Sequence, residues 1–470
     1  MHKKLAINID QVRAERCRRS FYYFFKQFWS VLEPEDLRDN WHIEYICNEL
    51  QDVANGVVQR EKKKHDLVIN VPPGSTKSTI VTIMFPVWLW IRDDTLRIIS
   101  SSYSAQLSVE HSVKSRDILR SDKFKRYFPE IQLRDDFDNK SHYKNKSGGE
   151  RMTTSTGGTI TGFHGHFIIL DDPINAQMAN SEVERKKANE HIKNTLTTRK
   201  VDKSISVTIL VMQRLHQDDP AGMLLEQGGV KHICLPAEAS PNIEPIELKE
   251  KYVDGLLDPV RMAKDTLADM KVQMGSYGYA GQMQQQPAPD GGGIWKKEWF
   301  IPINPQDIPK DLQHVGTDWD LAYTNKESNS ASAWVTTGIK DGKIYVLDVG
   351  FEWMEFPQLI HKMKQKTAPH YIEAKASGKS ARQTLIQNGI SAIEVQANTD
   401  KIARAMLATP AAEAGRIYIS PTLLSLLFDD DRQGMSYFPN GSHDDLADAF
   451  AQAINRQAKP KNTAKVLYYR

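Results

Sequence analysis

Short apolar runs separated by longer polar stretches set the rhythm of the first half of the chain. The runs at 67–71, 96–100, 166–170 and 206–212 predict strands, and the polar stretches at 104–119 and 181–194 predict helices between them. Such alternation predicts a largely parallel sheet covered by helices. From 284 to 293 the sequence QQQPAPDGGG carries neither period and predicts a linker. Beyond it, 314–323, 331–340 and 343–350 predict three strands, the last two joined by the hairpin signal Asp341-Gly342. A helix over 357–367, a short strand over 371–374 and a helix over 443–455, with Leu446, Ala447, Phe450 and Ile454 on one face, complete the pattern. The expected organisation is a first domain over 1–283 with a helical N-terminal segment, a linker over 284–299 and a second domain over 300–470.

Composition narrows the function classes only slightly. With 470 residues, 40% hydrophobic and 26% charged, the chain is long enough for two or three domains with cores of their own. A net charge of +2 selects no polyanionic partner, so contact with nucleic acid has to come from local patches such as 13–19 or 61–64. Cys17, Cys47 and Cys234 have neither metal-ligand spacing nor a disulfide pattern, as expected of a reducing cytoplasm. The longest apolar run, 80–91, is interrupted by Thr82 and Pro86 and is too short to span a bilayer, so neither a membrane nor a secretion role is expected.

Candidate chemistry begins at 66–79, DLVINVPPGSTKST, where an apolar strand runs into a Pro/Gly/Ser turn and ends on Lys-Ser. Backbone N–H groups of such a turn and the positive end of the following helix cradle phosphate in a P-loop. Gly74, Ser75, Thr76 and Thr79, beside Pro73, would line the cradle, Lys77 would reach the β- and γ-phosphates of ATP, and the Ser78 hydroxyl would hold Mg²⁺. Two usual glycines are replaced, by Val71 and Thr76. A second strand, HFIIL, ends on Asp171-Asp172, a Walker B arrangement in which Asp171 holds the metal and Asp172 orients the attacking water. At the end of the strand 206–212, Gln213 and Arg214 are placed to sense phosphate or couple hydrolysis to motion, or simply to form a strand-exit turn.

In the second half, Asp320 ends the first predicted strand, Glu373 the fourth, and Asp444-Asp445 starts the last helix. Three antiparallel strands before a helix begin an RNase H-like layout, in which the first and fourth strands lie side by side. Carboxylates there would hold Mg²⁺ or Mn²⁺ for phosphodiester hydrolysis. Asp318, two residues before Asp320, shares its face and is an alternative, and Asp448, one turn after Asp444, is either a fourth ligand or a solvated acid. Lys375 and Lys379 are either DNA-backbone contacts or plain surface.

Taken together, VPPGSTKS at 71–78, SSSYSAQLS at 100–108, GGTITGFHGHFIILDDP at 157–173, VMQRLHQDDPAG at 211–222, SYGYAGQMQQQP at 276–287, TDWDLAY at 317–323, IEAKASG at 372–378 and PNGSHDDLADAF at 439–450 resemble the large terminase subunit of tailed double-stranded DNA bacteriophages. That family is an ATP-driven genome-packaging motor fused to a nuclease. The resemblance implies an α/β chain with an N-terminal P-loop (ASCE-type) ATPase domain on a mostly parallel sheet and a C-terminal RNase H-like nuclease domain. It implies Asp172 as the ATPase carboxylate and Asp320, Glu373 and Asp445 as nuclease residues, with metal held by Ser78, Asp171, Asp320, Glu373, Asp444 and Asp445. ATP contacts would come from 73–79, Asp171, Gln213 and Arg214, with the adenine-contacting region near Trp41-His42-Ile43-Glu44. ATP, Mg²⁺ and, at the nuclease site, Mn²⁺ are the expected cofactors. Implied partners are double-stranded DNA, a portal protein, a small terminase subunit and further copies in a ring, five copies being preferred, in the host cell cytoplasm and at the portal vertex of the procapsid. No arginine lies within 71–76, which leaves Arg199, Arg214 or another residue as the arginine finger, and Asn329-Ser330 stands where the family frequently has a further Asp. The competing readings are a helicase-like ATPase fused to a repair nuclease and a catalytically degenerate scaffold that docks on a portal and binds DNA.

Overall fold

A computed structural model describes residues 9–160, 162–287, 294–321, 331–373, 384–395, 401–429, 435–438 and 444–458. The chain divides into two compact units, one of residues 1–270 and 278–288, the other of 271–277 and 289–470. In the first unit β1 (Asp66–Asn70), β2 (Arg97–Ser102), β3 (Leu133–Asp138), β4 (His142–Asn145), β5 (Glu150–Ser155), β6 (Phe167–Asp171), β7 (Val207–Met212) and β8 (Val230–Cys234) form one sheet. The order is β3-β4-β5-β2-β6-β7-β1-β8. Every neighbouring pair from β5 to β8 is parallel, and β3-β4-β5 is an antiparallel extension. The four predicted strands of this half therefore lie together at the centre, as the near-continuous burial of β6 and β7 requires of strands covered on both faces. Periodicity does not predict the extension over 133–155, because Leu133–Asp138 reads LRDDFD and half of it faces solvent.

Two packing features hold the region around 71–92. The run Thr79–Arg92 is helical, a wide π-type turn over Thr79–Met84 leading into the α-helix Phe85–Arg92, and Phe85 to Ile91 are all buried. An apolar-all-round helix has to be interior. Pro86 has no N–H to offer the carbonyl four residues before it, and that carbonyl, on Thr82, accepts instead from buried Arg151 Nη2 at 2.7 Å. The next carbonyl, of Ile83, accepts from Ser115 Oγ at 2.6 Å. Beneath this helix the N-terminal helices supply an aromatic core: in Phe21–Leu32, Phe28 is fully buried against Phe24, Phe124, Tyr127 and Phe128.

The second unit contains β9 (Ile301–Pro302), β10 (Gln313–Asp320), β11 (Ser332–Lys340), β12 (Lys343–Glu352), β13 (His370–Glu373), β14 (Ala392–Val395) and β15 (Ile417–Ile419). Their order is β14-β13-β10-β11-β12-β15-β9. β10, β11 and β12 run antiparallel, and β10 pairs with β13 in parallel through Thr317↔His370, Asp318↔Tyr371 and Trp319↔Ile372, so the first and fourth predicted strands are neighbours. The turn between β11 and β12 has Asp341 at φ +49° and Gly342 at φ +74°, the two positive angles that the Asp-Gly signal anticipates.

The helix Asp445–Ala458 packs on β10 and β11, burying Leu446, Phe450 and Ile454 in the core with Ala333 and Val335. Its polar positions are fixed to β10: Arg456 Nη2 lies 2.8 Å from Asp318 Oδ2, and Gln452 Nε2 donates to Asp318 Oδ1 at 3.3 Å. Asp318 thus serves as the anchor for this helix. Burial pushes its carboxyl up to about 6, against the pull of Arg456.

Two outcomes follow for stability. Phe28→Ala leaves an aromatic-sized void and should lower the unfolding free energy by about 3–5 kcal/mol, read as a lower denaturant midpoint of the first cooperative unit with unchanged m. For Asp318, a folded-state carboxyl raised above its ordinary 3.8 contributes stability that is present below that value and lost as pH climbs through about 6. The denaturant midpoint of the wild type relative to Asp318→Asn should therefore fall between about pH 4 and pH 7; a constant difference would contradict the assignment.

Candidate functional site

The first cluster lies at the carboxyl ends of β1, β6 and β7, where open parallel sheets present their ligands. After β1 the chain makes a tight turn at Pro72–Ser75, with Ser75 Oγ donating to the Pro72 carbonyl at 2.7 Å, and Gly74 at φ +80° with no atom within 4 Å of where a Cβ would stand. Thr76 takes φ +66°. Glycine is usual there because the left-handed region costs an L side chain, and a β-branched residue most of all. The loop therefore keeps the shape that the missing glycine would supply, at the cost of local strain.

The backing of the loop explains how that strain is held. His42, in the helix Trp41–Val58, is buried, and its Nδ1 lies 2.8 Å from the amide nitrogen of Asn40, which also donates to the Leu257 carbonyl at 2.7 Å. An amide NH₂ only donates, so Nδ1 accepts and Nε2 carries the proton, which it gives to the Ser75 carbonyl at 3.2 Å. Burial pulls His42 down to about 4, keeping the ring neutral. Within the segment Trp41 to Glu44, where the resemblance implies an adenine-contacting region, the His42 side chain supports the loop from behind.

Lys77 projects into the cluster, its Nζ 2.8 Å from Gln213 Oε1 and 3.0 Å from Asp172 Oδ2. Ser78 Oγ donates to Asp171 Oδ1 at 3.1 Å, and Thr79 begins the wide turn behind them. Asp171 ends β6, and Asp172 follows it at φ +43°. One oxygen of each carboxylate, Asp171 Oδ2 and Asp172 Oδ1, is buried with no hydrogen-bond partner. His111 Nδ1 stands 3.4 Å from Asp171 Oδ2 without a hydrogen-bonding angle, and burial lowers His111 to about 4, so it brings no charge. Burial drives Asp172 up to about 6, with Lys77 opposing and Asp171 adding to the rise; Asp171 is raised by burial too. Two buried carboxylates facing one lysine lack positive charge, and the hydroxyl, the hard oxygen ligands and the unpaired oxygens fit a bound Mg²⁺.

Gln213 and Arg214 have different surroundings. Gln213 faces Lys77, whereas the Arg214 guanidinium turns onto Asp219, with Nε 3.1 Å from both carboxylate oxygens, and donates to the His216 and Gln217 carbonyls at 3.2 Å. Asp219 also caps the helix Pro220–Gln227 through Gly222 N at 2.8 Å. Arg214 in this arrangement braces the strand exit. Its backbone N–H donates to Oε1 of Gln285, a buried residue at φ +54° in the segment read as linker, at 2.9 Å. Arg199, on the short turn Thr197–Arg199, has a buried Nε without a hydrogen-bond partner.

The second cluster belongs to the other unit. One carboxylate oxygen each of Asp320, Glu373 and Asp448 lie within 4.8 Å of one another, a donor set suited to a divalent cation. Asp448 completes it because it sits one turn into the helix anchored through Asp318. Asp445 is not one of the three; its Oδ2 accepts from Ala331 N at 2.9 Å. Asp444 is half exposed, with Oδ1 2.6 Å from Lys401 Nζ. Spacing alone could not separate 444, 445 and 448; only the packing of the helix does. Sequence reasoning missed two cations on the helix Lys401–Glu413: Lys401, also 3.5 Å from Asp320 Oδ2, and Arg404, with Nη2 2.6 Å from Asp448 Oδ2 and Nη1 3.3 Å from Glu373 Oε1. Lys375, Lys379, Asn329 and Ser330 lie outside the described residues.

Residues 318–457 match the family model of the terminase RNase H-like domain, less than a third of the chain. No curated protein matches it. Among solved structures, the large terminase of a thermophilic bacteriophage is similar over 79% of this chain and 87% of its own, at 11% identity and a TM-score of 0.42. The bacteriophage HK97 large terminase is similar over 93% and 99%, at 12% identity and a TM-score of 0.39. The large terminase nuclease of the thermophilic phage G20c, with bound magnesium, covers 36% of this chain and 99% of its own at 13% identity and a TM-score of 0.26. Likeness at these scores is too distant to bear on residue roles. The family model therefore identifies residues 318–457, within the second unit, as a terminase RNase H-like domain.

Proposed function

We propose that the protein is the motor and nuclease of viral genome packaging, hydrolysing ATP at the Lys77 cluster to move double-stranded DNA into a procapsid and cutting concatemeric DNA at the Asp320 cluster. The observation that carries this reading is the meeting of Lys77, Ser78, Asp171 and Asp172 at the ends of β1 and β6, on the same chain as a terminase RNase H-like domain.

Bound ATP and Mg²⁺ would supply the electrophilic γ-phosphoryl group and neutralise its charge. Within this chain, the backbone of Gly74 to Ser78 holds phosphate at a helix start, Lys77 compensates charge on the transferred group, and Ser78 and Asp171 hold the cation. Asp172, unpaired on Oδ1, orients water and accepts its proton, a task suited to a carboxyl raised toward neutrality. Gln213, which accepts from Lys77, is placed to change partner when phosphate arrives. In the second unit Asp320, Glu373 and Asp448 are the proposed metal holders, with Asp444 beside them and Asp445 positioning the start of β11. Double-stranded DNA, a portal protein, a small terminase subunit and a ring of copies at the procapsid in the host cytoplasm are the partners and setting that this reading requires.

Lys77→Ala should lower ATP turnover by about 10²-fold or more while leaving metal-dependent DNA cleavage intact, and Asp320→Ala should do the reverse. Turnover measured by phosphate release and nicking of plasmid DNA in Mn²⁺ check this pair. Loss of both activities in either folded variant, or no turnover with DNA and portal present, would overturn the proposal. Strand displacement without duplex translocation would favour the helicase-like alternative.

A further inference from the structure

The nuclease cluster contains its own positive charges. Four carboxylates, Asp320, Glu373, Asp444 and Asp448, meet Lys401 and Arg404, both from the first turn of the helix Lys401–Glu413. The first turn of a helix disfavours cations, because the backbone dipole is positive there. Their placement is compensated by the acids they face; among the described residues, these four acids and two cations sum to a formal charge of −2.

The two cations are held differently. Arg404 is a fork on Asp448, with Nε donating to Oδ1 at 2.9 Å and Nη2 to Oδ2 at 2.6 Å, and it reaches Glu373 Oε1 with Nη1 at 3.3 Å. A planar bidentate pair of this kind is rigid. Lys401 offers a single ammonium on a flexible stem, at 2.6 Å from Asp444 Oδ1, 3.5 Å from Asp320 Oδ2 and 3.8 Å from Asp448 Oδ2. It therefore occupies the space among three oxygens that a hard cation would seek.

We propose that Lys401 is a displaceable stand-in for a divalent ion at the nuclease centre, and that Arg404 is a permanent counter-charge, so that metal entry is an exchange in which the Lys401 ammonium leaves Asp320 and Asp448. Lys401 is thus a positioning residue that sets metal affinity and keeps the acids gathered without metal. This rests on the proposal that Asp320, Glu373 and Asp448 hold metal.

The test is Mn²⁺ binding to the full chain without nucleotide, followed by the loss of the free-ion electron paramagnetic resonance signal, with Asp320→Asn subtracting ions bound elsewhere. Lys401→Met, which keeps the stem and removes the charge, should bind Mn²⁺ about 10-fold more tightly than wild type, whereas Lys401→Arg, which keeps the charge on a less easily displaced group, should bind it no more tightly than wild type. In EDTA, Lys401→Met should melt below wild type and recover with Mn²⁺. Lys401→Gln is the second neutral variant if the methionine disturbs folding. Equal or weaker Mn²⁺ binding by a folded neutral variant would overturn the exchange while leaving the metal site standing. Wild-type binding that Asp320→Asn does not reduce would overturn the metal site and the exchange together.

Discussion

Buried carboxylate charge is the constraint on which the rest of this structure depends. Each unit brings acids to the carboxyl ends of parallel-paired strands, where sheet packing removes them from water, and an uncompensated charge there costs several kcal/mol. At Asp171 and Asp172 the compensation is partial: one lysine faces two acids, and one oxygen of each acid stays unpaired. At Asp320, Glu373 and Asp448 it is more complete, because Lys401 and Arg404 enter the cluster. The first arrangement has the stronger residual demand for a cation. The second must release a cation to take one.

Strain accompanies the charge at the first cluster. Thr76 and Asp172 both have positive φ, Thr76 directly before Lys77 and Asp172 in contact with the Lys77 ammonium. Non-glycine residues persist in such conformations only where their surroundings over-determine them. The surroundings are visible: His42 Nε2 holds the Ser75 carbonyl, the Asp172 N–H is given to Val211 O at 3.0 Å, and the Asp172 carbonyl accepts from Tyr103 N at 3.0 Å. The loop around Thr76 is held by a buried, neutral histidine, and Asp172 by backbone contacts with Val211 and Tyr103.

Much of this was legible along the chain, for specific reasons. β1, β2, β6 and β7 are apolar runs with abrupt polar exits, and Asp341-Gly342 needs two positive φ angles, so periodicity and turn chemistry found them. The β3-β4-β5 extension escaped because β3 is charged and half exposed, and because the buried positions of β4 and β5 include the polar Asn145, Arg151 and Thr153. In the acid cluster Asp320 and Glu373 were readable from strand ends. The choice among Asp444, Asp445 and Asp448 was not, since it depends on the roll of one helix, and that roll is fixed by Arg456 and Gln452 on Asp318, 138 and 134 residues away in sequence. Lys401 and Arg404 were invisible for the same reason: nothing local marks a lysine whose partners lie on other elements.

The exit of β7 connects the Lys77 cluster with the chain beyond it. Gln213 and Arg214 are adjacent, yet they serve opposite sides of the strand end: the Gln213 side chain accepts from Lys77, and the Arg214 N–H donates to Gln285. Gly281 reinforces the second contact, since a Cβ there would stand 3.1 Å from the Arg214 carbonyl, so backbone meets backbone closely. Arg214 cannot serve both as a brace on Asp219 and as a group reaching phosphate without releasing Asp219, the N-cap of the helix Pro220–Gln227. A change at Lys77 therefore has a short route to residues 281–285 through the backbone of two consecutive residues. The brace on Asp219 sets how far that backbone can move before a helix end has to open.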